Sequence, residues 1–129
     1  MQDEPRPSEI IGAVAAFLKT VVVAETTGAV AFQARVAANA LEMMRRQLEL
    51  AAGEDAAEQD RLTALLAMDG DLTSLNRELA ARIARGDMNL ATPGLKAHLW
   101  ATTLAKLAVD QPTYAAYRAV LAQGADPVR

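Results

Sequence analysis

The chain has 129 residues and a formal net charge of −3. That length fits one domain with its own core, and the charge supplies no basic face for nucleic acid. The absence of cysteine excludes disulfides, thiol nucleophiles and cysteine-ligated zinc or iron–sulfur clusters. Apolar residues make up 52% and aromatics only 4%, which favours close-packed, alanine-rich helices over an aromatic-rich β-sandwich.

Met1–Pro7 is acidic and prolyl, and is expected to be a flexible lead-in with no basic leader region. The longest apolar stretch, Ile10–Leu18, is closed by Lys19 and is too short to span a bilayer. A cytoplasmic protein with no membrane partner is therefore expected. Ser8 reads as the N-cap of a first helix over Glu9–Ala24. Ile10, Val14, Phe17 and Val21 recur at four-three-four spacing, and Ile11, Ala15, Leu18 and Val22 form a second apolar stripe. Two stripes predict a central helix, whose β-branched run Val21–Val23 weakens its end.

Glu25–Gly28 breaks the pattern. A second helix is predicted over Ala29–Ala52, with Gly53 as its stop. Val30, Ala34, Ala37, Leu41, Met44, Leu48 and Ala51 hold a seven-residue repeat, and a second row runs through Phe32, Val36, Asn39, Met43, Arg46 and Leu50. Asp55–Ala67 follows as a third helix, presenting Leu62, Leu65 and Leu66. Leu72–Arg85 is a fourth, presenting Leu75, Leu79 and Ile83, capped by Asp71 and stopped by Gly86. Thr92-Pro93 signals the start of a fifth, running to Val109 and burying Leu95, Leu99, Trp100, Leu104 and Leu107. Pro112 ends it, and Tyr114–Gln123 forms the last. The expectation is an all-α fold, a single compact bundle of about six helices over residues 8–124, with a loose tail at 125–129.

Catalytic machinery is missing from the pattern. His98 is the single histidine, so no HExxH site can form, and a structural role is expected for it. No GxGxxG or GxxxxGK[ST] motif occurs. Asp69-Gly70-Asp71 fails as a calcium loop, because Ser74 and Ala80 stand where glycine and glutamate are required. Glu54, Asp55, Glu58 and Asp60 open a helix, where negative charge suits the dipole. No catalytic residue, metal site or cofactor is expected.

The distinctive polar feature is the stripe Arg35, Asn39, Glu42, Arg46 and Glu49, with Arg45 in reach of Glu42 and Glu49. A row of ion pairs on a solvated face accounts for much of it. Arg35 and Asn39 stand among Phe32, Val36 and Ala38, where an arginine and an amide need partners inside the fold or across an interface. Lys106 and Asp110 form a further pair at i,i+4. Trp100, Tyr114 and Tyr117 either lock the last helix to the core or mark a contact for another protein.

Two segments carry a family resemblance. Phe32-Gln33-Ala34-Arg35-Val36-Ala37-Ala38-Asn39-Ala40-Leu41 and Leu104-Ala105-Lys106-Leu107-Ala108-Val109-Asp110-Gln111-Pro112-Thr113-Tyr114 resemble the signature segments of a small bacterial domain of unknown function. Arg6–Ile11 and Gly86–Leu90 are similar too. Many members carry histidine where this chain has Gln33, so any role of that histidine is not carried over. The family is typically encoded beside aminoglycoside-phosphotransferase-like kinases and acyl-CoA dehydrogenases. It resembles the small accessory subunit of the 4-hydroxyacyl-CoA kinase system of levulinate catabolism.

The resemblance implies a non-catalytic accessory subunit that binds and supports such a kinase, with Arg35, Asn39, Lys106, Asp110 and Tyr114 as candidate interaction or structural residues. The alternative is a stand-alone helical module for an apolar or acyl-CoA ligand, motivated by the adaptable Met43 and Met44. The sustained heptad of the second helix also allows a homodimer.

Overall fold

The computed structural model describes residues 4–124; the expected tail at 125–129 and the first three residues of the lead-in lie outside them. Among the described residues the fold is all-α, without strands. The described residues form five helices where the sequence predicts six. They are α1 (Pro7–Glu25), α2 (Gly28–Leu66), α3 (Leu72–Arg85), α4 (Leu95–Asp110) and α5 (Ala115–Ala122).

The missing break is at Gly53. The helix runs straight through it, because glycine weakens a helix by only about 1 kcal/mol and its neighbours Ala51, Ala52, Ala56 and Ala57 are strong helix formers. The actual stop is Ala67, whose φ of 52° is left-handed. Arg82 Nη1 donates to Leu66 O at 3.2 Å, occupying a carbonyl that the helix end leaves unpaired.

Other ends also differ from expectation. Ser8 lies within the first turn of α1, not at its cap. Arg6 precedes the helix, and its backbone N–H donates to Glu9 Oε2 at 2.7 Å. The valine run does not fray; Leu18–Val22 widens into a π-turn, in which Val23 N–H donates to Leu18 O. Thr92 and Pro93 precede α4 rather than open it. Thr92 Oγ1 accepts from Asn89 N at 3.0 Å in the preceding turn, and Gly94, at φ 84°, leads into the helix. The cap of α3 is as expected: Asp71 accepts from Ser74 N and Oγ at 2.9 and 2.8 Å, and Gly86 closes the helix.

The chain divides into two units, Met1–Ala51 and Ala52–Arg129, with the boundary inside α2. In the first unit Ala15, Ala31, Ala34 and Ala38 are buried, while Ile10, Val14, Phe17, Val21, Phe32, Val36, Met44 and Leu48 are exposed. The expectation of a central first helix is therefore corrected. Only the stripe Ile11, Ala15, Leu18 and Val22 is covered or partly covered. Small residues win the packed face because they let helix backbones approach closely; a Cβ added to Gly12 would sit 3.2 Å from Arg45 Cδ.

Taken whole, α1 is long and apolar enough to cross a membrane, and only 6% of its span is buried. The expectation to the contrary rested on Ile10–Leu18 alone, and the helix continues past Lys19. Core helices and leader sequences meet the same criterion, so it assigns no location.

The second unit has a conventional core. Leu62, Leu66, Leu75, Leu79, Met88 and Leu95 form one buried cluster, with Leu65 and Leu72 against it. Leu99 and Trp100, expected inside, are 38% and 36% exposed, and Tyr114 is 51% exposed. The cluster is filled by side chains from α2, α3, the start of α4 and Met88 in the loop between the last two, which leaves those three residues outside it.

Candidate functional site

Arg61 lies on α2 one position before the fully buried Leu62, and His98 lies on α4 one turn after the buried Leu95. Core packing of the two leucines thus holds the arginine and the histidine beside an open cleft of about 520 Å³. Its walls are Ala64, Leu65, Pro93, Gly94, Ala97 and Ala101. Gly94 is required there by its backbone, since φ 84° is costly for any residue with a Cβ. His98 N donates to Gly94 O at 2.9 Å, closing the first turn of α4.

Both polar side chains are left with work to do. His98 is only 3% exposed and its Nδ1 is buried without a hydrogen-bond partner, as are Nε and Nη2 of Arg61. Burial, and then the positive charge of Arg61, push the His98 imidazole below its ordinary range, with Glu58 opposing. At neutral pH the ring is therefore uncharged. Glu58, the carboxylate one turn before Arg61, accepts a hydrogen bond from Asn76 Nδ2 at 2.8 Å and makes no ion pair with the guanidinium within 4.0 Å. An unsatisfied buried donor costs about 1–3 kcal/mol, more when charged. Each of the three nitrogens has under 1 Å² of accessible surface, so the surrounding protein encloses these atoms without pairing them, a local cost to the fold.

The residues singled out from sequence lie elsewhere. Arg35 and Asn39 are exposed on α2 in the first unit. They share a helix face with Phe32, Val36 and Met43, also exposed. Arg45 bridges Glu42 and Glu49 at 3.0 and 2.9 Å, as expected, and these partners raise its affinity for its proton. In the second unit Lys106, Asp110 and Tyr114 are all exposed, and Lys106 and Asp110 come within ion-pair distance of no partner among the described residues. Sequence reasoning missed Arg61, which reads as one more charge in an acidic helix. The available signal was its place directly beside Leu62 on a predicted core face. Among the described residues no group of three or more His, Cys, Asp or Glu is placed to hold a metal ion.

The molecule is thus an all-α protein with buried, unpaired nitrogens of Arg61 and His98 beside a cleft in its second unit and an exposed apolar helix face in its first. Residues 24–114 match the family described as Domain of unknown function (DUF6285), and the chain belongs to that family. Both signature-like segments, 32–41 and 104–114, fall within the matched range. No curated protein and no solved structure matches the chain.

Proposed function

We propose that this protein is a non-catalytic accessory subunit that binds and supports an aminoglycoside-phosphotransferase-like kinase acting on a hydroxyacyl-CoA. One observation carries the docking role: Phe32, Arg35, Val36, Asn39 and Met43 share one exposed face of α2, and Phe32 is 61% exposed. Phenylalanine, methionine and arginine are among the residues enriched at protein interfaces. A face of that kind in water is a docking surface more often than a monomer surface. The nature of the partner rests on the resemblance of segments 32–41 and 104–114 to their family. Lys106, Asp110 and Tyr114 are exposed positions from which a second contact would be made. Cytoplasmic location belongs to the same proposal, since the kinase's CoA substrate is found there.

Co-expression with the neighbouring kinase tests this reading. Affinity capture is expected to recover a complex, and turnover of a hydroxyacyl-CoA should fall when this protein is omitted. Replacing Phe32, Arg35 and Val36 together by alanine should abolish capture while leaving the melting temperature of the isolated protein within a few degrees of wild type. Absence of a complex, with kinase activity indifferent to the protein, overturns the proposal. Self-association through the same face would show as a concentration-dependent mass in light scattering.

A second reading, a stand-alone module for an apolar or acyl-CoA ligand, is favoured by the cleft at His98, which is mostly lined by apolar side chains. It predicts a thermal shift of the isolated protein with acyl-CoA.

A further inference from the structure

A hairpin of two helices has two sides, and in residues 4–51 the side chains sort between them by polarity. α1 and the first half of α2 are joined through Thr26 and Thr27 and run antiparallel, with Gly12 against Arg45. Their seam is Ala15 on α1 and Ala31, Ala34 and Ala38 on α2. On the helical wheel, Val14, Phe17 and Val21 lie about 60–140° round from this seam, and so do Val30, Met44 and Leu48. The sense of rotation is the same on both helices. Because one runs up and the other down, both stripes face the same side of the hairpin. All six side chains are about half exposed. By the same geometry Glu9, Lys19, Arg35, Glu42 and Arg46 turn away from this side. Phe32, Val36 and Met43 point away from α1 altogether and form the separate outer face of α2.

We propose that this apolar side of the α1–α2 hairpin packs against the same side of a second copy of the chain, so that two hairpins close into a four-helix bundle about a two-fold axis. Two helices enclose only an alanine seam, whereas four enclose a core. The spacing selects a helical partner: Val14, Phe17 and Val21 step by three and four, Met44 and Leu48 by four, and Val30 stands two heptads before Met44. A lipid surface selects no such spacing, and the single cation of α1, Lys19, is turned away from this side. The area is also sufficient. The 19 residues of α1 extend about 28 Å, and two packed helices are about 20 Å across. Each copy thus offers about 560 Å², and the pair buries about 1,100 Å², above the floor of about 1,000 Å² for a specific interface. This contact goes beyond the kinase docking proposed above and uses a different face, so the two are compatible.

The test is sedimentation equilibrium of the full chain across the micromolar range, with methionine footprinting by dilute hydrogen peroxide. The wild type is expected to sediment as two chains. In a single chain Met44 is more exposed than Met43, 48% against 37%, and would oxidise at least as fast. In the dimer Met44 is covered and Met43 is not, so Met44 should oxidise about fivefold more slowly. Phe17→Glu should weaken dimerisation about a hundredfold, because the two-fold axis buries the carboxylate twice, and it should restore the oxidation of Met44. Phe32→Glu, on the outer face, should leave both the mass and the oxidation order unchanged. If Phe17→Glu does not fold, Met44→Glu and the wild-type oxidation order decide. A wild-type monomer throughout that range overturns the proposal, as does Met44 reacting as fast as Met43 or dissociation by Phe32→Glu but not by Phe17→Glu. Flotation of the wild type with phosphatidylcholine–phosphatidylglycerol vesicles would assign the side to lipid and equally overturn it. No kinase is present in any arm, so failure here leaves the docking proposal standing.

Discussion

Residues 4–51 and residues 52–124 are built from the same kinds of side chain, used in opposite ways. In the first stretch alanine and glycine occupy the packed face, and Phe17, Val30, Phe32, Val36, Met44 and Leu48 stand in solvent. In the second stretch leucines fill the interior, and the buried cluster holds no alanine. Apolar burial stabilises in proportion to area, about 25 cal/mol per Å². A leucine core is thus worth far more per residue than an alanine seam. The difference teaches that hydrophobic content and hydrophobic stabilisation are separate quantities: the first stretch has the former without the latter, so its large side chains remain available to another molecule.

The largest expected effect follows directly. Leu62→Ala or Leu75→Ala removes a side chain with no exposure, and should cost about 2–5 kcal/mol in denaturant unfolding. Phe32→Ala, despite deleting a bigger group, should change stability by less than about 0.5 kcal/mol because the ring is already in water. Equal losses at Leu62 and Phe32 would break the comparison, since they would show that the α2 face is covered in solution.

An intermediate effect is expected from two reciprocal swaps on α2. Gly53 lies within the helix with open space where a Cβ would go, so Gly53→Ala should stabilise by about 0.4–1 kcal/mol. Ala67 carries the positive φ at the helix end, where glycine is at ease, so Ala67→Gly should stabilise by about 0.5–1 kcal/mol. Thermal unfolding measures both. A loss of stability at either position would mean that the helix ends where its glycine suggests.

That pair also shows where sequence reading reaches its limit. Glycine at the end of a sustained repeat is a sound stop signal, and Gly86 obeys it after Arg85. At Gly53 the alanines on either side outweigh it, and the stop falls on a residue with no such signature. Local devices were legible: Asp71 as a cap, Pro112 as a terminator, and Arg45 between Glu42 and Glu49. Leu62, Leu75, Leu79 and Leu95 were legible as core positions as well, although on α4 the same reading wrongly included Leu99 and Trp100. In α1 and α2 several stripes are apolar, and periodicity cannot say that the alanine stripe packs and the phenylalanine stripe does not. The cleft was the least legible part. Arg61 and His98 meet only through tertiary packing, and neither has a neighbour in sequence that marks it as half of a pair.

The smallest expected effect is a pH dependence confined to one of the two stretches. His98 is the single histidine, and its folded-state affinity for a proton is depressed by burial and by Arg61, against the pull of Glu58. A depressed value means that the unfolded chain binds the proton more readily, so stability is complete above the ordinary value of 6.5 and declines as pH falls below it towards the folded value. Asp71, whose value is lowered by its hydrogen bonds from Ser74, contributes in the same direction only in more acidic solution, below 3.8. Hydrogen exchange between pH 7 and 5, corrected for intrinsic rates, should show weakening protection at Leu62, Leu95 and His98 and unchanged protection at Ala15 and Ala38. His98→Asn should flatten the first response. Parallel loss in both stretches would mean that their stabilities are coupled, whereas no loss in either would mean that the imidazole is hydrated at the cleft.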